Sequence, residues 1–171
     1  MRSALSTALL AALTLLSAAP IAAAQGVTVG AVTFSPELQT EFADDFGVGE
    51  SPVLVRAVEQ SLASQIARRG GSIGANSGVT IDVTIVDAAP NRPTMEQLGD
   101  RPGLSLQSIS TGGAELRAVI RNADGRVLAE VEHRYFDSFE DLTGAESTWS
   151  SARRAIRQWA RKVAEAYVAN V

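Results

Sequence analysis

Few groups in this chain could do chemistry near neutral pH. Its 171 residues include one histidine, His133, and no cysteine, so a zinc site of the usual composition cannot be assembled. His133 sits in an alternating strand pattern, where a hydrogen-bonded strand residue competes with a general base as its reading. Carboxylates are plentiful, and Asp44 with Asp45, or Asp137 with Glu140 and Asp141, could gather around a hard cation. Neither run has the alternating ligands and central glycine of a helix–loop–helix calcium site, so both read as solvated loops. Ser110 and Thr111 have no base nearby in sequence and no nucleophile-elbow pattern. No catalytic residue, metal or cofactor is therefore expected.

Arginine offers a different chemistry, the recognition of anions through a planar fork of donors. Two places concentrate it. The segment from Asp87 to Gly113 contains Pro90 Asn91 Arg92 Pro93 Thr94, a short helical turn at Met95 Glu96 Gln97 Leu98, then Arg101 Pro102 Gly103 and the run Ser108 to Gly113. A connection this long inside a small domain is often a binding or lid loop. Asn91, Arg92 and Arg101 are its candidate contacts, and an ornamented crossover whose arginines pair with surplus acids is the competing reading. The C-terminal segment carries Arg153, Arg154, Arg157, Arg161 and Lys162. There Arg153, Arg157 and Arg161 could dock on acidic head groups, lipopolysaccharide phosphates or a partner. They could equally form a solvated face, with cations near the helix end favoured by its dipole.

The apolar pattern marks out the elements that must position these residues. Val27 to Phe34 is β-branched and ends at Ser35 Pro36, a first strand. The acidic stretch Glu37 to Glu50 reads as a surface loop. Ser51 Pro52 is a helix start, its hydroxyl placed to satisfy an early backbone N–H, and Leu54, Val55, Val58, Leu62 and Ile66 share one helical face before Gly70 Gly71. Val79, Ile81, Val83 and Ile85 alternate with polar residues, as a half-buried strand does. A hairpin follows, with Ala114 to Arg121 and Val127 to Arg134 alternating around Asn122 Ala123 Asp124 Gly125. A three-residue loop would set Leu116 on the face of Glu132. A four-residue loop pairing Arg121 with Arg126 sets Ile120 opposite Val127, Ala118 opposite Ala129 and Leu116 opposite Val131, and the apolar pattern selects it. A last helix covers Ser147 to Ala169, with Trp149, Ala152, Ile156, Trp159, Val163 and Ala166 on one stripe. The fold class expected is α+β: a two-layer sandwich of a mixed four-stranded sheet with two amphipathic helices on one face, in the order β-α-β-long loop-β-β-α. The other sheet face should meet water or a partner.

Residues 1–24 read as a signal peptide. Arg2 gives a positive start, an apolar run extends from Ala4 to Ala19, and small residues precede an expected cleavage between Ala24 and Gln25. Residues 25–171 then form one domain with no further membrane span. The formal charge of −4 makes general binding to nucleic acid or anionic lipid a poor fit. The first strand, the helix Ser51 to Arg69, the strand Val79 to Val86 and the pattern Ala118 to Glu130 before a terminal Ala/Arg helix resemble the small uncharacterised exported domains of Gram-negative envelopes. Many of those are lipoproteins, some of them accessory parts of assembly or transport systems. The resemblance is one of element order; it carries over no catalytic residue, and the absence of a lipobox cysteine removes the anchor those proteins use. The expected function is a non-catalytic periplasmic or secreted binding or accessory domain of the cell envelope, meeting an envelope protein or an anionic envelope component. The alternatives are a hydrolase-like enzyme built on carboxylates with Arg92 or Arg101, and a domain without a dedicated ligand. Oligomeric state is left open by the sequence.

Overall fold

A computed structural model describes residues 26–74 and 77–170; the expected leader and its cleavage point lie outside the described residues. Strand β1 (Gly26–Phe34) ends at Ser35, whose backbone is extended and whose hydroxyl accepts the Leu38 N–H at 3.1 Å while Pro36 takes the first helical turn. The chain therefore continues as helix α1 (Pro36–Glu41) and a π-helical turn (Phe42–Phe46), where the acidic sequence suggests a surface loop. The correction has a simple cause. Leu38, Phe42 and Phe46 recur every four residues and are all buried. Phe42 and Phe46 pack edge to face, with ring centroids 5.8 Å apart, and both meet Trp149. The acids are the wet side of a helical segment whose apolar side joins the core.

Helix α2 (Ser51–Ala67) buries Leu54, Val58, Leu62 and Ile66 on the sheet. Ser51 does not cap it: its hydroxyl donates to the Val48 carbonyl at 3.1 Å, and Glu50 precedes the helix without a side-chain cap. Four buried aliphatic side chains at about 2 kcal/mol each outweigh a missing cap worth about 1 kcal/mol. Gly70, at φ 80°, ends the helical turn and releases the chain into β2 (Ser72–Ile73). This two-residue strand pairs in parallel with the outer edge of β1 and makes the sheet five-stranded rather than four, in the order β2-β1-β3-β4-β5. Both of its residues are exposed, so there is no alternation to read in advance.

Strand β3 (Val79–Ala89) lies parallel to β1 after the crossover and antiparallel to β4 (Gly113–Asn122), with Ile81 opposite Ile120 and Ile85 opposite Leu116. Helix α3 (Met95–Asp100) interrupts the connection between them, closed by a capping box in which Thr94 and Gln97 exchange hydrogen bonds. The β4–β5 hairpin departs from the expected pairing. Asn122 and Arg126 close a three-residue loop with Gly125 at φ 79°, and the Asn122 side chain accepts from both Asp124 and Arg126 N–H groups. A bulge between Ile120 and Arg121 then shifts the ladder by one residue, giving Ile120 opposite Ala129, Ala118 opposite Val131 and Leu116 opposite His133 along β5 (Val127–Phe136). The asparagine chooses the short loop, and the bulge restores the parity that burial demands.

Helix α4 (Ser150–Asn170) lies beside α2 and packs across β4 and β5, burying Ala152, Ile156, Trp159 and Val163. The opposite face of the sheet is a lattice of ion pairs. Arg117 meets Glu130 at 2.8 Å and Glu132 at 3.5 Å, Arg121 meets Asp82 at 3.2 Å, and Arg134 meets Glu115 at 3.1 Å. The architecture is thus the α+β two-layer sandwich, with a mixed sheet of five strands.

Gly113 tests the closeness of β4 to β5. A Cβ there would stand 2.2 Å from the Tyr135 carbonyl oxygen and 2.5 Å from the Phe136 Cα, both backbone atoms that cannot yield cheaply. Gly113→Ala is expected to cost about 3 kcal/mol, whereas Gly99→Ala, in exposed helix with open space around it, should gain about 1 kcal/mol. Urea unfolding of the two variants checks both signs.

Candidate functional site

The arginine row of α4 is placed by a buried polar junction at its N-terminus. Asn91, just beyond β3, has no exposed surface, and its side-chain oxygen accepts the Ser151 N–H at 2.9 Å, capping the helix from another element. Its amide donates to the Asp137 carboxylate at 3.0 Å, and its own N–H donates to the Thr148 carbonyl at 2.7 Å. Asp137, immediately after β5, also accepts from the Ser151 hydroxyl and from the Tyr135 hydroxyl at 2.8 Å. Arg154 donates to the Tyr135 oxygen at 2.8 Å and lies 3.6 Å from Asp137. Burial, together with hydrogen bonding to Asp137, raises the Tyr135 phenol above its ordinary value. Gly112 completes the arrangement, because a Cβ on it would fall 2.6 Å from the Asn91 amide carbon.

With its first turn fixed in this way, α4 presents Arg153, Arg157 and Arg161 outward beside α2. Three shallow depressions follow the seam between the helices. One of about 400 Å³ has Arg56, Arg153 and Arg157 on its walls. A second of about 400 Å³ is bounded by Gln65, Arg154, Arg157 and Arg161. A third of about 220 Å³ has Arg68 and Arg157 as its cations. Arg157 belongs to all three, so they form one trough. Arg56, Arg68, Arg153, Arg157 and Arg161 make no side-chain hydrogen bond or ion pair among the described residues. Residues 51–69 and 150–170 together hold eight cations and two acids, against seven cations and seventeen acids in the rest of the chain. One of those two acids, Glu165, pairs with Arg69 at 2.9 Å. Glu59 lines none of the three depressions.

Local energetics do not favour this row. Arg153, Arg157 and Arg161 are successive i, i+4 like charges, each pair opposing the helix by a few tenths of a kcal/mol. The helix dipole adds to the cost, because Arg153 and Arg154 stand near the positive end and the last turn of α4 carries no cation. The dipole explanation for the cationic face is therefore overturned by where the helix begins and ends.

The other sequence candidates are placed differently. Arg92 is spent on the backbone: its guanidinium donates to the carbonyls of Glu146 at 2.9 Å, Gln107 at 2.9 Å and Gly144 at 2.5 Å, tying the long connection to the segment before α4. Arg101 pairs with Asp45 at 2.5 Å, and the same carboxylate accepts from Gln97 at 2.8 Å. These contacts hold the loop around a concavity of about 310 Å³ lined by Phe46, Pro90, Pro93 and Ile109. Asn91 and Arg92 are thus structural staples, and neither lines the depressions bordered by Arg153, Arg157 and Arg161. His133 bonds Gln158 at 2.9 Å through Nε2 and accepts from Lys162 at 3.0 Å through Nδ1. Sequence reading missed Arg56 and Arg68 as companions of the α4 row. Twelve residues are about three and a third helical turns, so Arg56 and the C-cap Arg68 do not share one phase of α2, and that both border the seam is a tertiary fact.

No protein-family model and no curated protein matches this sequence. Solved structures resemble it at low identity. A PelC dodecamer from Paraburkholderia phytofirmans superposes with a TM-score of 0.49 at 9% identity, over 81% of this chain and 87% of that one. A hypothetical protein from Chlamydia trachomatis gives 0.46 at 12%, over 85% and 99%. A minor lipoprotein from Acinetobacter baumannii gives 0.40 at 9%, over 86% and 94%. Likeness this partial leaves the functional reading to the chain's own geometry. Among the described residues no helix is long and apolar enough to cross a membrane.

Two substitutions probe the electrostatics of the polar junction and of helix α1. Asp137→Ala leaves the Asn91 amide, the Ser151 hydroxyl and the Tyr135 hydroxyl without their acceptor, and a loss of about 3 kcal/mol is expected in urea unfolding. Glu41 has its carboxyl raised by partial desolvation and then by the charges of Asp87 and Asp45. A raised folded value means that ionised Glu41 opposes folding above its unfolded value, and that this penalty fades as pH falls through the folded one. Glu41→Gln should therefore melt higher than the parent near neutrality and lose that advantage in acid, a difference read from melting temperatures at about pH 7 and about pH 4.

Proposed function

We propose that this chain is an exported, non-catalytic binding domain of the cell envelope that holds an anionic envelope component against the α2–α4 face. The observation that carries the reading is the set of five arginines without internal partners along one trough of an acidic protein. On the sheet face Arg117, Arg121 and Arg134 each find a carboxylate. Those of the trough keep their donors free and accept mutual repulsion, as groups reserved for a ligand do. Concentrating cations on one face of a net acidic molecule also orients it toward an anionic partner during approach.

A catalytic reading has one observation in its favour. Two hydroxyls, a carboxylate and an arginine converge at Ser151, Tyr135, Asp137 and Arg154, the set that a hydrolase-like enzyme would need. Ser151 is 1% exposed and Asp137 8%, and both are committed to holding α4. That enclosure supports a structural role for the cluster and the binding reading for the protein. Export rests on the signal-peptide pattern of residues 1–24.

The binding reading predicts retention on a phosphocellulose column at neutral pH and low salt, with elution by salt, despite the net negative charge. Replacing Arg153, Arg157 and Arg161 together by Gln should abolish retention while leaving the melting temperature unchanged or slightly raised, since like-charge repulsion is relieved. The matching replacement of Arg117, Arg121 and Arg134 removes the same charge from the sheet face and should leave retention in place. Equal loss from both triple variants would show only a net-charge effect and would sink the assignment of the trough.

A further inference from the structure

Resting on the anion-binding reading of the α2–α4 face, the shape of that face says more about its occupant. We infer that the trough takes a linear anionic polymer, lying lengthwise between the helices, rather than a single small anion or a membrane surface.

Length is the first argument. Arg153, Arg157 and Arg161 follow one another at about 6 Å along α4, and Arg56 and Arg68 stand about 18 Å apart along α2. A lone phosphate or carboxylate would engage one or two of these guanidinium groups and leave the others as exposed as before. A chain with repeated charges engages them in series, and each contact after the first is intramolecular.

The cross-section is the second argument. Cations come from both helices: Arg56 shares one depression with Arg153 and Arg157, and Arg68 shares another with Arg157. Between them the floor is made of the short side chains Ala57, Ser61 and Ser64, which leave room for a strand to descend. The side chains of Gln60, Ser61 and Ser64 have no hydrogen-bond partner among the described residues, so they are free to meet the uncharged polar groups between successive anions.

A lipid surface fits less well. A helix seated in a membrane interface lays large apolar side chains beside its cations. Here Val53 is the one apolar side chain larger than alanine lining the three depressions, and the large exposed hydrophobics Val48, Met95, Leu106 and Phe139 line none of them. The shared chemistry is thus a flexible strand of carboxylates or phosphates, either of which arginine binds bidentately.

The test uses the purified full chain and calorimetric titration with two length series: galacturonate, its short oligomers and polygalacturonate, and phosphate, triphosphate and long-chain polyphosphate. Vesicles of phosphatidylglycerol form a third arm. Expected is a rise in affinity of tenfold or more from monomer to trough-spanning oligomer in at least one series, steeply weakened by salt. Arg157→Ala should lower polymer affinity about tenfold, the loss of one charge-assisted contact. Arg126→Ala, an exposed arginine at the hairpin turn, should change nothing. Which series responds names the source of the charge. Equal affinity for monomer and polymer, still lost in Arg157→Ala, overturns the linear occupant and leaves the anion site standing. Tighter, Arg157-dependent binding to vesicles than to either polymer overturns it in favour of a membrane. Identical behaviour of Arg157→Ala and Arg126→Ala overturns both this inference and the reading it rests on.

Discussion

The structure depends on a polar contact at a place where an apolar one would not serve. Asn91 and Asp137 end two different strands, and Ser151 begins the C-terminal helix; the three meet in a buried junction in which each donor has an acceptor. Apolar packing of α4 on the sheet is non-directional and would tolerate sliding or rotation of the helix. Hydrogen bonds to one helical N–H and one hydroxyl in its first turn do not. The negative charge of Asp137 also sits beside the positive end of the helix dipole, which offsets part of the unfavourable placement of Arg153 and Arg154. The orientation of the arginine row thus follows from the junction, although none of its members touches the trough.

The two faces of the sandwich use charge in opposite ways. On the open face of the sheet, arginines alternate with acids across β3, β4 and β5, so that opposite charges lie on neighbouring strands and cancel locally. On the helix layer the acids are nearly absent, and five arginines find no partner among the described residues. Surface ion pairs contribute little to stability, about 0–1 kcal/mol each, so the sheet lattice is better understood as keeping that face neutral than as holding the fold together. The contrast explains how an acidic protein can present a cationic face.

The long connection between β3 and β4 illustrates why length alone is a weak guide to function. Its two arginines could each hold an anion, yet Arg92 satisfies backbone carbonyls that the irregular chain leaves without secondary-structure partners, and Arg101 answers the acid Asp45. A loop with little regular structure needs such side chains to complete its hydrogen bonds. The same demand explains the glycine pair at Gly112 and Gly113, where the backbone passes too close to Asn91 and to β5 for any side chain.

What the sequence determined by itself was β1, from its β-branched run before Ser35 Pro36, and whatever periodicity encodes: α2, β3, the two hairpin strands and α4, because an apolar face repeats at 2.0 or 3.6 residues only if that element packs one side. It also determined the scarcity of catalytic groups and the cationic side of α4, which are matters of composition and helical phase. The tertiary structure alone decided the rest. β2 exists because the edge of β1 offers unpaired backbone groups to a passing chain, and two residues carry no pattern. The acidic segment became helical because Phe42 and Phe46 have Trp149 to pack against, a partner about a hundred residues away. The hairpin register was settled by Asn122 and a bulge acting together, whereas parity alone allows several pairings of equal phase. Whether an arginine is free or bound is the clearest case. Arg92, Arg101 and Arg157 are alike in sequence, and only the three-dimensional distances to carbonyl and carboxylate oxygens separate two that hold the fold from one that faces outward.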